Sequence, residues 1–136
     1  MSHVTSAVAK IKGVNKDLLE EVLQKLAQKY GAHLVNPNEI RDYYGNMLIN
    51  AYPNIKYGMV GGMLKYGVGI EITEQGEVVV RGDFWGSRIN EQQFTADLES
   101  EYTKEAIKEA LVESGFTITH ETEDEEEVVL MAEEVL

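Results

Sequence analysis

Residues 66 to 86 read Tyr-Gly-Val-Gly-Ile-Glu-Ile-Thr-Glu-Gln-Gly-Glu-Val-Val-Val-Arg-Gly-Asp-Phe-Trp-Gly. Tyr66, Val68, Ile70 and Ile72 alternate with Gly67, Gly69 and Glu71. A period of two predicts a strand with one buried face. Thr73 to Glu77 reads as a turn, because Gly76 accepts a positive φ at no steric cost. Val78, Val79 and Val80 are β-branched and suit a returning strand. A β-hairpin is therefore the centre of the fold.

The elements before the hairpin follow from their spacing. Within residues 2 to 12, Val4, Ser6, Val8 and Lys10 alternate with Thr5, Ala7, Ala9 and Ile11, which predicts a first strand ended by Gly13. Asn15 is placed to cap a helix over Lys16 to Tyr30. Leu18, Leu19, Val22, Leu23, Leu26 and Tyr30 share one face of it, and Glu20, Glu21, Gln24, Lys25 and Gln28 the other. Gly31 stands at the left-handed C-cap position. Ala32 to Val35 predicts a short strand, stopped by Asn36-Pro37-Asn38. Between Tyr43 and Tyr66 lie five of the seven tyrosines, and glycine is frequent up to Gly69. Met47 to Ile55 reads as an irregular strand, and Lys56 to Lys65 as a glycine-rich loop or hairpin tip.

After the hairpin, Asn90 with Gln93 three residues on predicts a second helix start. Phe94, Leu98, Tyr102, Ala106, Ile107, Ala110 and Leu111 would line its inner side, and Gly115 would end it. Phe116 to Glu121 and Val128 to Ala132 alternate around an acidic run, predicting a closing hairpin with an acidic turn at 121 to 127. One α+β domain over residues 1 to 136 results. The element order suggests a ferredoxin-like sandwich: an antiparallel sheet, two helices packed on one face, and an extra C-terminal hairpin strand. The other sheet face is expected to be open, or covered by the tyrosine-rich segment or another subunit.

Composition narrows the function classes. The formal net charge is −12, and residues 121 to 136 carry eight acids and no base; the other 16 of the 24 acids face all 12 Lys and Arg. Such a chain repels phosphate backbones, so no nucleic-acid partner is expected. Stacking of RNA on exposed sheet aromatics is the residual route to one. There is no cysteine, which removes disulfides, thiolate metal sites and cysteine nucleophiles. That composition fits a reducing compartment, and a cytoplasmic location is expected. No apolar run reaches the roughly 20 residues of a membrane span, and Met1 to Lys10 lacks the layout of a secretory signal.

No catalytic, cofactor or metal motif stands out. His3, His33 and His120 have no helical ligand spacing. Gly58-Met59-Val60-Gly61-Gly62-Met63 lacks the Gly-Lys-Ser/Thr ending of a phosphate loop. The run 121 to 127 lacks the glycine turn of a calcium loop. The residues that remain are His3, Tyr66, Arg81, Asp83 and Trp85. Arg81, Asp83 and the only Trp alternate along one side of the second hairpin strand, and His3 would join them at the sheet mouth. Trp and Arg are favoured contact anchors, so these five form the expected interaction patch.

Several short motifs share an order: Met1-Ser2-His3, a Leu-rich first helix, Arg41-Asp42-Tyr43-Tyr44-Gly45, Tyr66-Gly67-Val68-Gly69, Gly82-Asp83-Phe84-Trp85-Gly86, and Phe94, Leu98, Tyr102, Ala110, Gly115-Phe116. Together they resemble the uncharacterised family that includes hypothetical chloroplast reading frame thirty-five and its bacterial relatives. The chain departs from that pattern at 46 to 65, which is richer in Gly, Met and Tyr, and at its heavier acidic run. The family has no settled activity, and the resemblance supplies no catalytic residues. Its bacterial relatives often occur beside chaperone-like ring-forming ATPases, so the resemblance implies an adaptor role with such a partner. The expectation is an interaction module that binds a protein partner or itself through the open sheet face. The alternative is a small-ligand binder or enzyme with a pocket between the sheet and residues 43 to 65, walled by His3, Tyr66, Asp83 and Trp85.

Overall fold

The computed structural model describes residues 3–123 and 128–134, with side chains described through residue 117. The chain runs β1 (Thr5–Ala9), α1 (Lys16–Tyr30), β2 (His33–Val35), a 3-10 turn (Pro37–Glu39), α2 (Leu48–Ala51), β3 (Ile55–Gly61), β4 (Leu64–Ile72), β5 (Val78–Gly82), α3 (Glu91–Glu113), β6 (Phe116–Glu123) and β7 (Val128–Glu134). It is an α+β protein with a five-stranded antiparallel sheet in the order β1-β5-β4-β3-β2.

The central hairpin forms as its sequence requires. Ile70 pairs with Val80 and Ile72 with Val78. Gly76 takes φ +82°, and the Glu77 N–H donates to the Thr73 hydroxyl at 3.0 Å. Helix α1 is capped by Asn15, whose side chain accepts from the Leu18 N–H, and it ends at left-handed Gly31. Asn90 caps α3 in the same way through the Gln93 N–H. Leu19, Leu23 and Leu26 of α1, Phe94 and Leu98 of α3, and Val68, Ile70, Val78 and Val80 of the sheet share one buried cluster. Burying each such side chain contributes about 1.5–3 kcal/mol before entropy is counted.

Residues 47 to 55 differ from expectation. Met47 to Ile55 is not an irregular strand; it holds the one-turn helix α2, and the strand starts only at Ile55. Lys56 to Lys65 takes the hairpin-tip alternative and not the loop. It supplies most of β3 and the start of β4, joined at a tight tip where Gly61 pairs with Leu64. Glycines along this hairpin make room for apolar side chains packed on it. A Cβ at Gly58 would lie 2.8 Å from Ile40, one at Gly67 3.0 Å from Ile40, and one at Gly69 2.8 Å from Ile55. Ile40, Leu48 and Ile55 form a second buried cluster, with Val4, Val35, Tyr52 and Val60 packed on it. The second sheet face is thus covered in large part by the segment between β2 and β3.

The ferredoxin-like arrangement is also corrected. It requires the strand after the second long helix to enter the main sheet. Among the described residues, β6 pairs with β7 in a separate two-stranded sheet, and three strands separate β1 from β2. The cause is the β3–β4 hairpin, which takes the positions beside β5 and β2. Of the acidic turn, residues 124–127 lie outside the described residues. No helix among the described residues is long and apolar enough to cross a membrane.

Candidate functional site

Loop 41–47 is built on Asp42. Its Oδ1 accepts the N–H groups of Tyr44 and Asn46, each at 2.9 Å, and its backbone carbonyl accepts from Gly45 at 3.1 Å. Arg41 and Met47 close the loop as an antiparallel bridge. Gly45 takes φ +82°, and the Arg41 guanidinium donates to its carbonyl at 2.7 Å. An Asx turn of this kind leaves the two residues after the Asp projecting from the tip. They are Tyr43 and Tyr44, 48% and 67% exposed.

Asp83 binds this tip to the end of β5. It is 2% exposed. One carboxylate oxygen accepts from the Tyr43 N–H at 2.9 Å, the other from the Trp85 N–H at 3.1 Å. A carboxylate buried in this way is stabilised by the hydrogen bonds it accepts. The same bonds place the two aromatic residues side by side. The Tyr43 ring meets Tyr44 at 5.1 Å, Trp85 at 5.3 Å and Tyr66 at 5.8 Å between centroids, at interplanar angles of 75° to 84°. Lys65 extends its ammonium to 5.3 Å from the Trp85 centroid and 5.5 Å from that of Tyr66. Its backbone N–H donates to the Ser87 hydroxyl at 2.9 Å, which ties β4 to the loop bearing Trp85. Trp85 stays 47% exposed.

Of the five expected patch residues, Tyr66, Asp83 and Trp85 come together here. Asp83 is an internal clamp and not a surface partner of Arg81. Arg81 instead pairs with buried Glu71, through Nε at 3.0 Å and Nη2 at 2.7 Å. It also donates to the Ser6 hydroxyl at 2.6 Å and lies 4.1 Å from the Tyr52 ring centroid. It therefore anchors β1, β4 and β5 to the segment bearing α2. His3 is exposed; because Thr5 pairs with Gly82, it lies at the end of the sheet where Asp83 leaves β5. Tyr43, Tyr44 and Lys65 were missed as site residues. Their signal is the turn chemistry of Asp42-Tyr43-Tyr44-Gly45, where a capping Asp and a Gly bracket two aromatics.

A separate groove runs along the other side of the same loop, lined by Val4, Asp42, Asn46, Met47, Leu48, Asn50, Ala51 and Tyr52. It lies against the segment 43 to 65 as the small-ligand alternative requires, but its wall holds none of His3, Tyr66, Asp83 and Trp85. Among the described residues, no group of three or more His, Asp and Glu side chains gathers in a metal-binding arrangement. Two phenols have clearly displaced acidities, and neither belongs to the cluster. Burial, with a hydrogen bond to Asp97, pushes Tyr30 well above the ordinary phenol range. Burial, with a hydrogen bond to Glu20, pushes Tyr57 up to about 12. No protein-family model matches the chain, and no curated protein or solved structure is significantly similar to it.

Proposed function

We propose that this chain is a small cytoplasmic protein-binding module without chemistry of its own, and that Tyr43, Tyr44, Tyr66 and Trp85 are its contact surface. One observation carries the reading. Four aromatic side chains are gathered at one end of the sheet, three of them about half exposed or more, and the backbones of two, Tyr43 and Trp85, are fixed by one buried carboxylate. Exposed aromatics grouped without a packing role commonly mark interaction sites. Trp and Tyr supply large contact area with few torsions to immobilise, which makes them dominant anchors at interfaces. The contact surface moves from the open sheet face to this end of the sheet, since Ile40 and Leu48 cover that face. The family resemblance adds a ring-forming ATPase as a partner class, and a second copy of the chain is the other.

The test is retention of a partner by the immobilised chain, with light scattering to detect self-association. Wild type retains a partner or self-associates, and Tyr44→Ala and Trp85→Ala each lose it while keeping the wild-type circular dichroism. Retention unchanged in both variants, or a strictly monomeric chain that retains nothing, overturns the proposal.

A second reading rests on the groove between Val4, Asp42 and Tyr52. Its mixed wall of apolar and amide side chains suits a small polar ligand. A metabolite panel would then raise the Tm of wild type more than that of Asn50→Leu, and equal responses would remove it.

A further inference from the structure

The aromatic cluster already holds a cation. The Lys65 ammonium stands 5.3 Å and 5.5 Å from two of its ring centroids, within the roughly 6 Å over which a ring quadrupole attracts a positive charge. The near-perpendicular packing around Tyr43 sets ring edges against ring faces. That geometry cannot hide both faces of four rings. Tyr44, Tyr43 and Trp85 keep π surface in water, at 67%, 48% and 47% exposure. The chain around them carries a formal charge of −12. Its long-range field draws in cations and repels carboxylates and phosphates.

Resting on the proposed interaction surface, we propose that the cluster receives an arginine side chain from a basic segment of the partner protein. Arginine fits better than lysine because its planar guanidinium stacks on aromatic faces and is more weakly hydrated. The chain makes such a contact internally, where Arg81 lies 4.1 Å from the Tyr52 centroid. Lys65 is then a built-in competitor. It occupies π surface of Trp85 and Tyr66 and repels the incoming guanidinium. An acidic partner would reverse its role, because Lys65 would be the anchor.

The full chain is titrated calorimetrically with a hexa-arginine peptide and a hexaglutamine control, following Trp85 emission in parallel. Wild type binds the first and not the second. Tyr44→Ala weakens binding by about fivefold, the loss of one exposed cation–π contact. Lys65→Met tightens it by about threefold or more on the same scale. Lys56→Met, which also removes an exposed charge, from β3, changes it far less. The inference is overturned if Tyr44→Ala binds like wild type, or if Lys65→Met is weaker than or equal to Lys56→Met. A chain that ignores hexa-arginine but retains a partner in a Tyr44-dependent way sinks this inference alone. Partner retention indifferent to Tyr44→Ala and Trp85→Ala sinks the underlying reading as well.

Discussion

Gly62 lies against the backbone carbonyl of Tyr30. A Cβ built on Gly62 would stand 2.0 Å from that oxygen, and the Met63 N–H donates to the same oxygen at 3.0 Å. The tip of the β3–β4 hairpin is thereby set on the C-terminus of α1, where helix carbonyls lack intrahelical donors. The Met63 carbonyl in turn accepts from the Arg88 N–H at 2.9 Å, so the loop after β5 is tied to the same point.

The first expectation contrasts two glycines of similar φ. Gly62 takes φ +56° and Gly76 φ +82°. Gly76→Ala meets open space and costs only the left-handed penalty, about 1–2 kcal/mol. Gly62→Ala adds a backbone clash that nothing flexible can relieve, and is expected to cost about 4 kcal/mol or more. Urea denaturation of the two variants checks this, and equal midpoints would show that the hairpin tip is not seated on α1.

Asp83 is the second site to probe. Asp83→Ala leaves the Tyr43 and Trp85 N–H groups without their acceptor. Each orphaned donor costs about 1–3 kcal/mol where water cannot replace it. The expected result is a lower Tm together with red-shifted, more mobile Trp85 emission, since Trp85 is the only Trp. Asp83→Asn keeps one acceptor oxygen and should fall between wild type and alanine.

Glu71 and Arg81 form a largely buried pair, with side chains 8% and 21% exposed. Removing one partner leaves an uncompensated charge under the α2 segment. Glu71→Gln and Arg81→Met are each expected to destabilise by about 3–5 kcal/mol. The double variant should lose less than the two together. Additive losses in a double-mutant cycle would rule out the coupling.

Tyr30 makes stability fall at alkaline pH. Its phenol donates to Asp97, and burial raises its pKa in the folded protein. Below about pH 10, folded and unfolded chains both hold the proton, and Tyr30 adds no pH dependence. Above it the unfolded phenol ionises while the folded one does not, so the folded state binds more protons and loses stability as pH rises. Tyr57, pushed up to about 12, acts in the same direction. Stability measured against pH should therefore decline more steeply above that point in wild type than in Tyr30→Phe. Parallel curves would contradict the buried hydrogen bond.

Helix α1 was legible because everything that makes it lies within a few residues: six apolar side chains on one face, Asn15 reaching the Leu18 N–H, and Gly31 at the end. The β4–β5 hairpin and the start of α3 at Asn90 were legible for the same reason. The β3–β4 hairpin was legible only in part. Gly58, Gly61 and Gly62 read locally as a loop or a hairpin tip, yet Gly58 is a strand position emptied to admit Ile40. The candidate site was half legible. Trp85, Tyr66 and Asp83 drew notice as residue types, but the role of Asp83 depends on Tyr43, which is 40 residues away.

The sequence by itself determined the two long helices, the central turn and the strongly acidic charge, because periodicity, caps and ionisable groups act through short range or simple sums. Only the tertiary structure decided which strands neighbour one another, what covers the second sheet face, and that Tyr43, Tyr44, Lys65, Tyr66 and Trp85 meet. Those outcomes depend on backbone pairing and shape complementarity between distant segments, and no single residue's chemistry carries that information.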